Sequence, residues 1–493
     1  MKNQQLLTIA IALSYGLHAC GSSKSDINSS GGSAGSAGNP TTGGGDSSVA
    51  GSSSGAAPGG GATSNAGEGT GGSGNTSGSS SASGSGNGGA GTAGATGDGG
   101  ASASADTCSF PAGSALAGAS VPAGYCAYVW ASDLNRPRGV VVDTNGDLLV
   151  SDNGRVVVLH DDNGNGVSDD DERVVLVTQA GLNHGIALNG GFLYASTPTT
   201  VFRWPYTGNR QPLGNAQQVV TGIPNGGHVT RTLLFDAQGR LYVSIGSGSN
   251  VDDDSRRARL IRYPASALAS ASTFAQGELF ADGLRNEVGL ALDSQGRVWG
   301  VENGRDNLQR QDLGGDIHQN NPGEELNLFL EANAGRFYGY PYCWSEFNLP
   351  NTGDGPGTQW ADPNNTTHDD AWCKNTTNVL PPVLVMQGHS APLDVRFYSG
   401  DAFPADVVGD AFITFHGSWN RTTATGYKVV RVPFGADGMP SGDPVPLLES
   451  ANPGDTDPQW PHRPVSLGIG KSGQLFVSSD ASGVIIAVGH QPI

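Results

Sequence analysis

Two groups of residues in this chain have side chains and spacing suited to chemistry. The first is local and acidic. Asp161, Asn163, Asn165, Asp169 and Glu172 occupy positions 1, 3, 5, 9 and 12 of one run, with Gly166 at the sharp turn. Oxygens at that spacing, with the backbone carbonyl of Val167 at position 7, suit calcium, a hard cation that takes about six to eight oxygen ligands. The flanks, Arg155-Val-Val-Val-Leu and Arg173-Val-Val-Leu-Val, read as strands. The expectation is therefore a structural calcium hairpin rather than a helical sensor. The second group is dispersed. Arg138, His184, His228, Arg231, Arg285, Asn286, His389 and Arg463 each stand at the head of an apolar run. If those runs converge on one axis, several cations meet there and form an anion site in an otherwise acidic chain.

The elements that would bring them together form a repeat. Arg138-Gly-Val-Val-Val-Asp leads through Thr-Asn-Gly-Asp to Leu148-Leu-Val-Ser-Asp. The same strand, tight turn, strand pattern returns at His184–Ser196, Arg231–Ile245 and Val288–Val301. A divergent fifth copy joins Leu393–Tyr398 to Asp410–Phe415, and a sixth runs from Val465 to Ser479. The first four recur at about 45–55 residues, a period that suits a four-stranded propeller blade. No long segment carries a helical period. The fold class expected is all-β, a six-bladed β-propeller over residues 106–493.

The residues before it cannot fold that way. Residues 1–19 carry a positive start and a short apolar run, which is a secretory signal and too short for a membrane span. Leu17-His-Ala-Cys20 resembles a bacterial lipobox, which implies cleavage before Cys20 and its lipidation. Gly21 after it favours the outer membrane by that analogy. Residues 20–105 are almost entirely Gly, Ser, Ala, Thr and Asn, too poor in apolar surface to offset ordering entropy, so they read as a flexible tether. The net charge of −19 argues against a nucleic-acid partner. Cys108, Cys126, Cys343 and Cys373 remain once Cys20 is set aside. In an exported domain they suggest two disulfides, and of three possible pairings proximity favours Cys108–Cys126 and Cys343–Cys373.

Several segments carry a family resemblance. His228-Val-Thr-Arg-Thr-Leu-Leu-Phe-Asp with Leu241-Tyr-Val-Ser-Ile-Gly resembles the catalytic segment of the soluble pyrroloquinoline quinone (PQQ)-dependent sugar dehydrogenases. Gly283-Leu-Arg-Asn-Glu-Val-Gly resembles their Arg-Asn cofactor motif. Val301-Glu-Asn-Gly-Arg-Asp-Asn and Gly323-Glu-Glu-Leu-Asn-Leu resemble their calcium segment. Gly388-His-Ser-Ala-Pro and His416-Gly-Ser-Trp-Asn-Arg421 are similar to the pyranose and sorbosone dehydrogenase branch. The resemblance covers most of about 125–490.

The resemblance implies oxidation of a sugar with reduction of PQQ, the electrons passing to a separate acceptor such as a cytochrome or quinone. It makes His228 the general base. Arg285 and Asn286 would hydrogen-bond the quinone oxygen as charge accumulates there. The backbone carbonyls of Gly304 and Arg305 would hold an active-site calcium. Arg421 and Arg463 would clamp the carboxylates of PQQ, with Lys428 a further candidate. Two departures are visible. The soluble glucose enzyme places a lysine on PQQ in its fifth blade, whereas Val395-Arg-Phe-Tyr-Ser-Gly400 has none, and Arg305 stands where that enzyme has proline. Glu324 and Glu325 read either as metal ligands or as a solvated pair, and Tyr338 and Tyr340 as core or as a sugar platform. Two alternatives share the architecture: a calcium-dependent lactonase or similar hydrolase, and a non-catalytic surface-binding propeller.

Overall fold

A computed structural model describes residues 115–349, 353–453 and 460–491. The signal segment 1–19, Cys20, the tether 20–105 and Cys108 lie outside them. The described chain is a six-bladed β-propeller, and each predicted repeat is the inner pair of strands of one blade. Blade one, for example, runs Pro137–Val142, Leu148–Asp152, Arg155–Leu159 and Arg173–Thr178 in antiparallel order. Blade six is assembled from both ends of the domain. Its outer strand is Tyr125–Ala131, which pairs antiparallel with Val484–His490. That pairing closes the ring, with Tyr125–Ala131 as the outer edge of the last blade.

Each blade is apolar on both faces because each face packs on a neighbour. Six hydrophobic clusters among the described residues draw side chains from two adjoining blades apiece. Leu149 and Val156 of blade one, for instance, meet Leu193 and Phe202 of blade two. The recurring glycine early in the repeat has a steric cause. A Cβ at Gly139 would collide with the carbonyl of His184, and one at Gly289 would lie 2.6 Å from the Cα of Asp394. Innermost strands approach too closely there for any side chain.

Blade four carries the largest elaboration. Between its strands Glu324–Phe329 and Leu384–Met386 lie a hairpin, Cys343–Ser345 with Gln359–Ala361, and a short helix, Asp370–Lys374. Cys343 and Cys373 are disulfide-bonded as proximity suggested, with Cα atoms 5.8 Å apart. Cys126 is also disulfide-bonded.

Candidate functional site

In an up-and-down blade, the start of the first strand and the end of the second lie at the same end. His228, Arg285, Asn286 and His389 precede first strands. Asn303, Gly304, Asp306, Trp419 and Asn420 follow second strands. The fold therefore gathers them at one mouth, around a cavity of about 210 Å³ that Glu324 and Ala391 also line. A larger cavity, about 530 Å³, opens at the opposite end of blades four and five beside Asp293, Arg297, Phe397 and Phe434. We place the chemistry in the smaller one, because polar and titratable groups converge there.

His228 is held from behind. Its backbone N–H donates to Ser247 O (2.9 Å). Its Nδ1 lies 3.0 Å from Ser247 Oγ, whose own proton goes to Ser249 O at 2.7 Å. A hydroxyl has one proton, so Ser247 Oγ accepts from His228, which fixes the Nδ1–H tautomer and leaves Nε2 with a free lone pair. Burial, helped by the nearby Arg285 guanidinium, pushes the imidazole down to about 4. It is neutral at physiological pH. Gly246 permits this packing, since a Cβ there would sit 2.6 Å from His228 Cβ and 2.7 Å from Asn286 Oδ1.

Arg285 is 4% exposed. Its guanidinium donates to the carbonyls of Asn250 (3.1 Å), Asn303 (3.2 Å) and Gly304 (2.6 Å), and to Asp306 Oδ2 (3.0 Å). Asp306 then reaches blade five, accepting from Asn420 Nδ2 at 2.8 Å. The same amide faces His389 Nδ1 at 3.2 Å, while His389 Nε2 donates to His318 O at 2.6 Å. Asp306 thus links the cofactor arginine of the resemblance to the second histidine of the cavity. Its motif was legible in the sequence, as was that of Asn420, but nothing there assigned either of them this role; Asn250 gave no signal.

Glu324 is buried, so the solvated reading of the Glu324–Glu325 pair is overturned. Its two oxygens accept the N–H of Gly304 (2.8 Å) and of Ala391 (3.0 Å). Burial raises it to about 7. Behind it, Glu287, Glu302 and Glu325 surround Asn327 Nδ2 at 3.3, 3.5 and 3.2 Å. Burial raises all three, and their mutual repulsion adds to the shift of Glu287 and Glu302. Tyr338 and Tyr340 are core residues, 3% and 7% exposed.

The remaining candidates separate. Arg421 and Lys428 line an adjoining cavity of about 260 Å³ with Gln387 and Glu449. Arg421 is spent on backbone and side-chain carbonyls, among them Gln319 O and Gly388 O. Burial lowers both cations. Arg463 binds His416 O and Gly417 O and lies outside the His228 cavity. The expected ring of free cations does not form. Arg138 pairs with Asp480 at 2.5 Å, and Arg231, fully buried, donates to four carbonyls, including His228 O. His184 is buried and pushed well below its ordinary value by desolvation.

The acidic run forms the loop of a blade-one hairpin, as expected. Asp161 accepts the N–H of Asn165 (3.1 Å) and Gly166 (2.9 Å), and Glu172 accepts those of Asp162 and Asn163. Asn163 and Asn165 turn their amide nitrogens to Asp169 Oδ2 (3.0 and 2.8 Å). A cation in this loop requires both amides reversed, an O/N choice that the neighbouring charge decides. Among the described residues no three His, Cys, Asp or Glu side chains group to hold a metal.

Comparison with known proteins places this geometry. A PQQ-dependent sugar dehydrogenase of Hypocrea jecorina is 36% identical over 405 residues, covering 74% of this chain and 89% of that one. A PQQ-dependent pyranose dehydrogenase of Coprinopsis cinerea is 31% identical over 391 residues, 72% of this chain; the match spans only 52% of that relative. A calcium structure of the Trichoderma reesei carbohydrate-active enzyme of family AA12 superposes with a TM-score of 0.69 at 35% identity, covering 76% of this chain and 97% of that one. The TrAA12-like family model matches residues 119–491, and the chain belongs to that family.

Proposed function

We propose that this protein is a PQQ- and calcium-dependent dehydrogenase that oxidises a sugar and hands the electrons to a separate acceptor. The observation that carries the reading is the convergence of His228, Arg285, Asn286 and Gly304 on one cavity. The residues fit the groups required. Arg285 and Asn286 put a cation and an amide on the wall of that cavity, whereas Arg421 and Lys428 line a separate one, so the clamp on the PQQ carboxylates expected of them is not part of this fit. Gly304 O has one lone pair taken by Arg285 and a second free for a hard cation. When bound, PQQ supplies a quinone that accepts hydride, and calcium polarises that quinone as a Lewis acid.

The chain's own residues do the rest. His228 Nε2 accepts the proton of a sugar hydroxyl. Burial keeps the imidazole neutral, so Nε2 is available to take that proton. An anionic cofactor beside the ring would raise its basicity. Arg285, held by Asp306, keeps a fixed positive charge at the wall and needs no reorganisation during the reaction. The acidic loop of blade one would hold a structural calcium. Cys20 would anchor the protein by lipid to a membrane, with residues 20–105 as tether.

The test is to add PQQ and calcium to the purified protein and follow dye reduction across a sugar panel. Turnover that needs both additions, and that His228→Ala abolishes while PQQ is retained, is the expected result. A folded, calcium-treated protein that binds no PQQ would overturn the reading.

A further inference from the structure

We propose that Arg305 is a positioning residue for the active-site calcium, acting through Asp362 in the insertion of blade four. The inference rests on the calcium-dependent reading above and concerns what holds the carbonyl loop in place. Arg305 contributes only its backbone to the expected ligand set, yet its side chain is 8% exposed and donates from Nη1 to Asp362 Oδ2 at 2.5 Å. Asp362 is 3% exposed. Withdrawing two charges from water is costly, and removing one partner would leave the other buried and uncompensated. Here it joins residues 57 positions apart.

The surroundings show what is being fixed. Every residue of 303–306 is tied to a different element. Asn303 Nδ2 donates to Pro392 O (2.8 Å), Gly304 N to Glu324 (2.8 Å) and Asp306 N to Asn250 Oδ1 (2.7 Å). A Cβ at Gly304 would press on Pro322 at 2.7 Å. The Arg305–Asp362 pair is the tie that reaches into the insertion. Asp362 is itself braced: its N–H donates to Tyr342 O (2.8 Å), and it accepts from Asn364 N (2.9 Å). Tyr342 adjoins Cys343, which pairs in register with Ala361 and is disulfide-bonded to Cys373. The anchored side chain of Arg305 supplies a restraint on the 303–306 loop. The disulfide-bonded insertion thereby becomes part of the cation site, as partners of metal ligands commonly do.

The experiment measures the calcium concentration needed for half-maximal retention of PQQ, read by absorbance of bound cofactor after gel filtration. It compares the full chain with Asp362→Asn and Arg305→Lys. In Asp362→Asn the requirement should rise about 10- to 100-fold, with retention restored at saturating calcium. Arg305→Lys keeps the charge but loses the fork, and should fall between wild type and Asp362→Asn. That graded order, read in calcium dependence rather than in melting temperature, is what a merely structural pair would not produce. If both variants retain PQQ at the wild-type calcium concentration, the inference fails while the functional reading stands. If the wild-type chain retains no PQQ at any calcium concentration, the functional reading itself fails.

Discussion

His228 lies at about 4 in the folded protein, against an ordinary 6.5. Between those values the unfolded chain holds a proton that the folded chain does not. The contribution of this residue to stability therefore rises with pH through that window and is complete above the unfolded value. At about 1.36 kcal/mol for each tenfold difference in proton affinity, the rise amounts to about 3 kcal/mol. Glu324 works in the opposite sense. Raised from 4.5 to about 7, it holds a proton in the folded state that the unfolded chain releases, so its contribution is present at low pH and lost as pH rises through 7. The two slopes are of similar size and nearly cancel in the wild type. His228→Gln removes only the rising one. Urea unfolding of cofactor-free protein from about pH 4 to about pH 7 measures the effect. The stability of wild type minus that of the variant should grow by about 3 kcal/mol across the interval. Parallel curves would refute both the burial of the imidazole and its assignment as a neutral base.

Three further outcomes follow from the geometry. Asp306→Asn should free Arg285 and Asn420 from their common anchor and lower kcat/KM for sugar oxidation about 100-fold, the loss that a misplacement of about 1 Å can cause, without a comparable loss of melting temperature. Arg231→Met should cost about 3–5 kcal/mol in urea unfolding, because a buried cation that satisfies four carbonyls is removed and the carbonyls stay behind. Calcium at about 100 times its dissociation constant should stabilise the protein by about 3 kcal/mol through the blade-one loop, read as a rise in melting temperature; Asp161→Ala should lower the part of that rise that does not need PQQ.

The sequence by itself determined the repeat, and through it the blade count. A strand pair with a glycine turn is a local pattern, and its apolar residues on both faces require neighbours on both sides, so six copies imply a closed ring. It also determined which residues head the inner strands, which is why His228, Arg285, Asn286 and His389 were legible as candidates, and why the Cys343–Cys373 pairing followed from proximity. What it left open depended on contacts between distant parts of the chain. The head-of-strand pattern could not separate Arg285, which lines the cavity, from Arg231, which braces carbonyls behind it, because both are arginines at the same place in the repeat. Nor could it tell that Glu324 is buried while accepting two backbone N–H groups, or that Arg421 and Lys428 share a cavity apart from His228. Asp306 and Asp362 acquire their roles only when blade five and the insertion of blade four are folded against the loop at 303–306. Spacing along a chain determines which side chains share a strand end. Whether such a charge is free for chemistry or already neutralised depends on residues brought in from elsewhere in the chain, 342 positions away for Arg138 and Asp480, and burial then sets its protonation, so tertiary structure decides it.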